Sequence, residues 1–71
     1  QHAIFEVQVP ETWIGKSVGE LDIRRKFGIN ILGIKRAGKT DVSVTPDTLL
    51  SGDITILALG EYKALQKCFR I

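Results

Sequence analysis

Three consecutive segments in the middle of this chain restrict its fold more than any other feature. Ser17 to Gly28 reads as a capped helix, Ile29 to Arg36 as an apolar strand, and Pro46 to Asp53 as a turn leading into a second apolar strand, Ile54 to Leu59. Ser17 and Glu20 stand at the Ser-x-x-Glu spacing of a capping box, in which each side chain takes a backbone N–H left unpaired at the helix start. Arg24, Arg25 and Lys26 occupy the last turn, where positive charge suits the helix dipole. Gly28 supplies the left-handed residue that ends many helices. Val18, Leu21 and Phe27 fall on one stripe of the expected helix.

The flanking segments complete an order β-α-β-β-β-α. Ala3 to Val9 alternates, with Phe5, Val7 and Val9 on one face, and Pro10 stops it because it has no N–H to donate. Ile29 to Arg36 carries apolar residues on both faces, the pattern of an internal, covered strand. Ala37-Gly38-Lys39 is turn material, and Thr40 to Thr45 alternates as the return strand of an antiparallel hairpin. Gly60 breaks the strand that begins at Ile54, and Glu61 to Phe69 reads as a short amphipathic helix with Tyr62, Leu65, Cys68 and Phe69 on its apolar side. The predicted class is α+β, one small domain over 1–71 with a mainly antiparallel sheet, expected to be the excised C-terminal part of a longer protein.

A chain of 71 residues buries only about 60% of its extended surface, so its core is marginal alone. One Cys and one His provide neither a disulfide nor a zinc site, and with no evident third group they make no nucleophilic triad. The unpaired Cys68 fits a reducing compartment. A partner surface is the expected remedy for the small core. At 44% hydrophobic and 25% charged residues, the chain has globular rather than disordered composition. No apolar run approaches the ~20 residues of a membrane span. The glycines match no phosphate-cradling GxGxxG or Walker spacing.

A net charge of +2 is too small to argue for a nucleic-acid polymer as partner, but its distribution is uneven. Arg24, Arg25, Lys26, Lys35, Arg36 and Lys39 fall in a stretch without a carboxylate, and the flanks hold all eight acidic residues. That stretch is either a phosphate-attracting face or an ordinary solvated helix end and hairpin.

Val9-Pro10 with Trp13-Ile14-Gly15-Lys16-Ser17-Val18-Gly19-Glu20-Leu21-Asp22-Ile23-Arg24, then Phe27-Gly28-Ile29-Asn30-Ile31-Leu32-Gly33-Ile34-Lys35-Arg36, then Pro46 with Leu49-Leu50 and Gly52-Asp53, form an ordered set. It resembles the RCK C-terminal (TrkA-C) domain from Val9 to Leu65, in particular the KtrA-like branch of cytosolic subunits in bacterial potassium uptake systems. The resemblance implies an α+β domain that pairs as a homodimer behind a Rossmann-type N-terminal domain, at the inner face of the membrane beside a potassium-translocating subunit. It implies cyclic di-AMP as ligand at the dimer interface, and no cofactor.

Carried over by position, the ligand residues would be Val18, Asp22, Arg24, Asn30, Ile31 and Pro46. Each also has a plainer role. Arg24 would give bidentate donors to phosphate, or simply complement the helix C-terminus. Asn30 would read an adenine edge, or cap the turn after Gly28. Asp22 would orient Arg24 or accept from the ligand, or be a solvated helix charge. Val18, Ile31 and Pro46 would wall an adenine, or serve as core and turn. The function implied is a regulatory, ligand-binding dimer that controls ion flux rather than an enzyme. The alternative is a ligand-free dimerisation or docking module of another cation transporter or exchanger.

Overall fold

Alternation in the first segment is realised as β1, His2–Gln8, with Val7 buried and Ile4, Glu6 and Gln8 exposed. In the computed structural model, which describes residues 1–71, a 3-10 turn at Glu11–Trp13 follows, then α1, Val18–Leu21, and α2, Ile23–Phe27. The chain continues through β2, Asn30–Arg36, β3, Lys39–Asp41, β4, Thr55–Glu61, and α3, Tyr62–Phe69. The four strands form one antiparallel sheet in the order β1-β4-β2-β3.

One face of that sheet carries the core. Ile56 and Ala58 of β4 are fully buried, Ile23 of α2 and Leu65 of α3 close over them, and Ile29, Leu50 and Trp13 fill the margins. Each fully buried aliphatic side chain contributes roughly 1.5–3 kcal/mol. Leu57 and Leu59 on the opposite face of β4 are only half-buried, beside exposed Ile4. Glu6 and Lys35 pair there at 3.4 Å from strands on either side of β4.

The expected helix from Ser17 to Gly28 is two helices. Asp22 adopts left-handed φ/ψ of 51° and 46°, and its N–H bonds the carbonyls of Val18 and Gly19. Aspartate tolerates this conformation better than most residues. The break redirects the chain, so Ile23 enters the core, while Phe27 leaves the Val18–Leu21 stripe and lies against Trp13.

Apolar residues on both faces of β2 have a different cause from the one expected. Ile31 pairs with Ala58 and Gly33 with Leu57, which leaves Leu32 as an extra, bulged residue. The bulge resets the alternation, so Ile31 and Ile34, three apart, both face the core. β2 is internal to the sheet, but only one of its faces is covered.

Two further boundaries move. The return strand stops at Asp41 rather than Thr45, because the Asp41 carboxylate accepts the Ser43 N–H at 2.8 Å and turns the chain. β4 runs through Gly60 instead of ending there. A Cβ at Gly60 would lie 3.2 Å from Ile29 Cγ1 and 3.3 Å from the Gly28 carbonyl. That glycine permits a close approach rather than a stop.

Candidate functional site

The segment entering α1 is laced to the loop before β4. Gly15 N–H donates to the Leu50 carbonyl, Leu50 N–H to Lys16, Val18 N–H to Thr48, and Gly19 N–H to Pro46, all at 2.8–2.9 Å. Thr45 and Thr48 tie the loop internally, the Thr45 N–H donating to Thr48 Oγ1 at 2.9 Å. Across from it, the capping box is complete: Glu20 N–H donates to Ser17 Oγ at 3.1 Å and Ser17 N–H to Glu20 Oε1 at 2.9 Å. These bonds hold Val18 and Pro46 close together at the start of α1.

Asp22 follows at the break between the helices, and its carboxylate receives Arg25 Nε at 2.6 Å. It therefore orients Arg25, not Arg24 as the sequence suggested. Arg24 is exposed and has neither an ion pair nor a side-chain hydrogen bond. Gly28, left-handed at φ 69°, turns the chain into β2. Asn30 is exposed and pairs with Leu59, whereas half-buried Ile31 packs into the core opposite Ala58.

Of the six sequence-derived residues, Val18, Asp22 and Arg24 follow one another along α1, the helix break and α2, Asn30 and Ile31 open β2, and Pro46 lies in the loop bonded to α1. The structure joins Val18 to Pro46 through Gly19. Asn30 and Ile31 point to opposite faces of the sheet, so only one of these side chains shares a given face. None of the six lines the cleft beside Trp13 and Phe69, the depression along β1 at Ile4–Gln8, or the one beside Gln1 and Tyr62.

The basic stretch divides into two clusters. Arg24, Arg25 and Lys26 lie on α2, while Lys35 and Arg36 end β2 and Lys39 opens β3, at the far end of a strand of seven residues or about 20 Å. Carboxylates from the flanks claim half of the six cations: Arg25 goes to Asp22, Lys35 to Glu6, and Arg36 to Asp53 at 3.3 Å. The Ser51 hydroxyl donates to Asp53 and holds its carboxyl below the usual carboxylate range, with its own backbone N–H and Arg36 adding to the effect. Arg24, Lys26 and Lys39 remain for other anions. Burial pushes the Cys68 thiol up.

Trp13 is the residue whose position sequence reasoning undervalued. It is more than a local contact at the helix entrance, being buried between Phe27 at 5.8 Å and Phe69 at 5.5 Å between ring centroids. Only tertiary packing brings these three rings together. No three His, Cys, Asp or Glu side chains converge as metal ligands. No helix is long and apolar enough to cross a membrane.

Comparison with known proteins agrees with this geometry. The chain is 42% identical over 59 residues to the uncharacterized transporter YfbS of Escherichia coli (strain K12), covering 80% of this chain and 10% of that protein. It is 30% identical over 60 residues to the Ktr system potassium uptake protein C of Bacillus subtilis (strain 168), covering 84% of this chain and 27% of that protein. The chain thus spans a minor part of either relative. The RCK C domain of the potassium transport protein KtrA, solved with cyclic di-AMP, superposes on 99% of the chain and 82% of its own length, with TM-score 0.87 and 31% identity. The RCK_C domain dimer of S. agalactiae BusR, also solved with cyclic di-AMP, superposes with TM-score 0.75 at 25% identity, over 97% of this chain and 95% of its own. The TrkA-C domain model matches residues 2–71, and the chain belongs to that family.

Proposed function

We propose that this domain is a regulatory dimer of a potassium-transport system and binds cyclic di-AMP where its two copies meet. The observation that carries the reading is the superposition of the cyclic di-AMP-bound KtrA domain on nearly the whole chain. The unpaired guanidinium of Arg24 supports it, because an exposed arginine with no internal partner can donate to phosphate oxygens without breaking an existing contact. A two-fold axis would present the same patch twice along one seam, and a symmetric dinucleotide matches that symmetry. In this reading Val18 and Pro46 supply apolar wall, Asp22 holds the Arg25 side of the helix break, and Asn30 and Ile31 contribute at the entrance to β2.

The domain performs no chemistry in this reading. Ligand that binds one arrangement of the parent assembly better than another shifts its population, and the shift reaches the pore. The partners are a Rossmann-type N-terminal domain in the same parent and a membrane subunit that carries the ion, which places the domain at the cytoplasmic face. A second reading has its own support. The 42% identity to YfbS fits a docking or dimerisation module of another transporter, with no nucleotide ligand.

Calorimetry with cyclic di-AMP, accompanied by sedimentation of the chain with and without ligand, separates the readings. The first expects saturable heat at one ligand per two chains, with affinity at least roughly tenfold weaker in Arg24→Ala, the loss of one charge-assisted contact. A dimer that gives no heat supports the docking module instead.

A further inference from the structure

An open cleft of about 920 Å³ lies between the Glu11–Trp13 turn, the end of α2 and the last turns of α3. None of the six candidate ligand residues lines it. Its floor is aromatic. Trp13 is buried there, with Phe69 packed edge-on against it and the Phe27 ring beside it, 39% exposed to solvent. Its rim is basic. Lys26, Lys67 and Arg70 are all exposed, and none has an ion pair or a side-chain hydrogen bond, while Glu11 is the single carboxylate of the lining. The lining therefore carries as much net positive charge as the entire domain.

We propose that this cleft docks an acidic peptide segment bearing an apolar anchor, with the anchor on Phe27 and Trp13 and the carboxylates on Lys26, Lys67 and Arg70. Both halves of the partner follow from the lining. An exposed ring over a buried indole offers area to an apolar side chain, and aromatic residues are typical anchors of docking sites. Unpaired cations around it complement distributed negative charge and steer the approach. A small planar anion is the poorer fit. Small-molecule sites fix orientation with a few convergent polar groups, and this cleft has long cations on a rim shared by two helices, with no buried polar side chain at its floor. A flexible acidic segment tolerates such a rim.

The sequence supplies two native probes, because Trp13 is the only tryptophan and Cys68 the only cysteine, and both line the cleft. The chain is titrated with the acetylated, amidated hexapeptide Asp-Glu-Phe-Leu-Asp-Glu, with the same peptide carrying Ser for Phe and Leu, and with ATP. The expected result is a saturable change in Trp13 emission and slower alkylation of Cys68 by N-ethylmaleimide, for the first peptide only. Affinity falls as salt rises, since exposed charges are screened beyond about 8–10 Å at physiological ionic strength. Combined Lys67→Glu and Arg70→Glu substitution weakens the peptide at least roughly tenfold, and circular dichroism reports that the fold is unchanged, both positions being exposed. Arg24→Ala leaves peptide binding as it was, which keeps this test independent of the cyclic di-AMP site. No response to the first peptide, an equal response to the Ser version, or tighter binding of ATP overturns the proposal.

Discussion

Gly19 and Pro46 touch so closely that a Cβ on the glycine would sit 2.9 Å from both the Cβ and the carbonyl oxygen of the proline. The Gly19 N–H donates to that carbonyl at 2.8 Å, and the hydrogen bonds of Thr45 and Thr48 hold Pro46 from the other side. The contact sets where the loop lies against α1, and with it the position of two candidate ligand residues.

Replacing a helical glycine by alanine ordinarily gains about 1 kcal/mol. Here the sign reverses. The new methyl meets backbone, which cannot rotate away, so Gly19→Ala is expected to destabilise the domain by about 1–3 kcal/mol. Urea denaturation of the two proteins measures the difference, and a variant as stable as the parent would show that the loop yields freely.

The β2–β3 hairpin offers a substitution in the opposite direction. Ala37 and Gly38 both have positive φ, 51° and 80°, as a two-residue type I′ turn requires. A β-carbon in that region costs roughly 1–2 kcal/mol, and asparagine recovers part of it through its own local hydrogen bonding. Ala37→Asn is expected to raise stability by about 0.5–1 kcal/mol, and Ala37→Val to lower it. Thermal unfolding of both variants checks the pair.

Acid should weaken the loop that leads into β4. Asp53 has its folded value lowered, mainly by the Ser51 hydroxyl, so its stabilisation is present above the unfolded carboxylate value of about 3.9 and is lost as pH falls through the folded one. Stability followed by denaturant midpoint is therefore expected to decline below about pH 4, and Asp53→Asn to remove part of that slope. Ser51→Ala should remove the larger share of the shift, and Arg36→Ala the smaller. An equal slope in all of these proteins would discount the Ser51–Asp53–Arg36 cluster.

The order of elements was readable because its signals are local. Ser17 and Glu20 cap within one turn, Gly28 ends α2 in the conformation its lack of a Cβ favours, and Leu65 sits where helical spacing places it. The misplaced features each depend on something distant or rare. Asp22 belongs to a helical pattern by composition, and only the demand for Ile23 in the core accounts for its left-handed turn. Gly60 looks like a terminator until Ile29 is seen against it. For the candidate site, the grouping of Val18 with Pro46 needed a contact across 28 positions of sequence. Which of three consecutive cations Asp22 takes depended on the helix break. The division of the basic stretch followed from β2 lying between its halves.

Leu32 gives the chain a tolerance that strands seldom have. Dropping one residue from a ladder normally turns everything beyond it inside out. Here Ile31 and Gly33 already face consecutive partners, Ala58 and Leu57, so excising the leucine between them would leave an even ladder with every later side chain on its present side. The length of this strand is negotiable at that single place, and homologues one residue shorter there would keep the same interior.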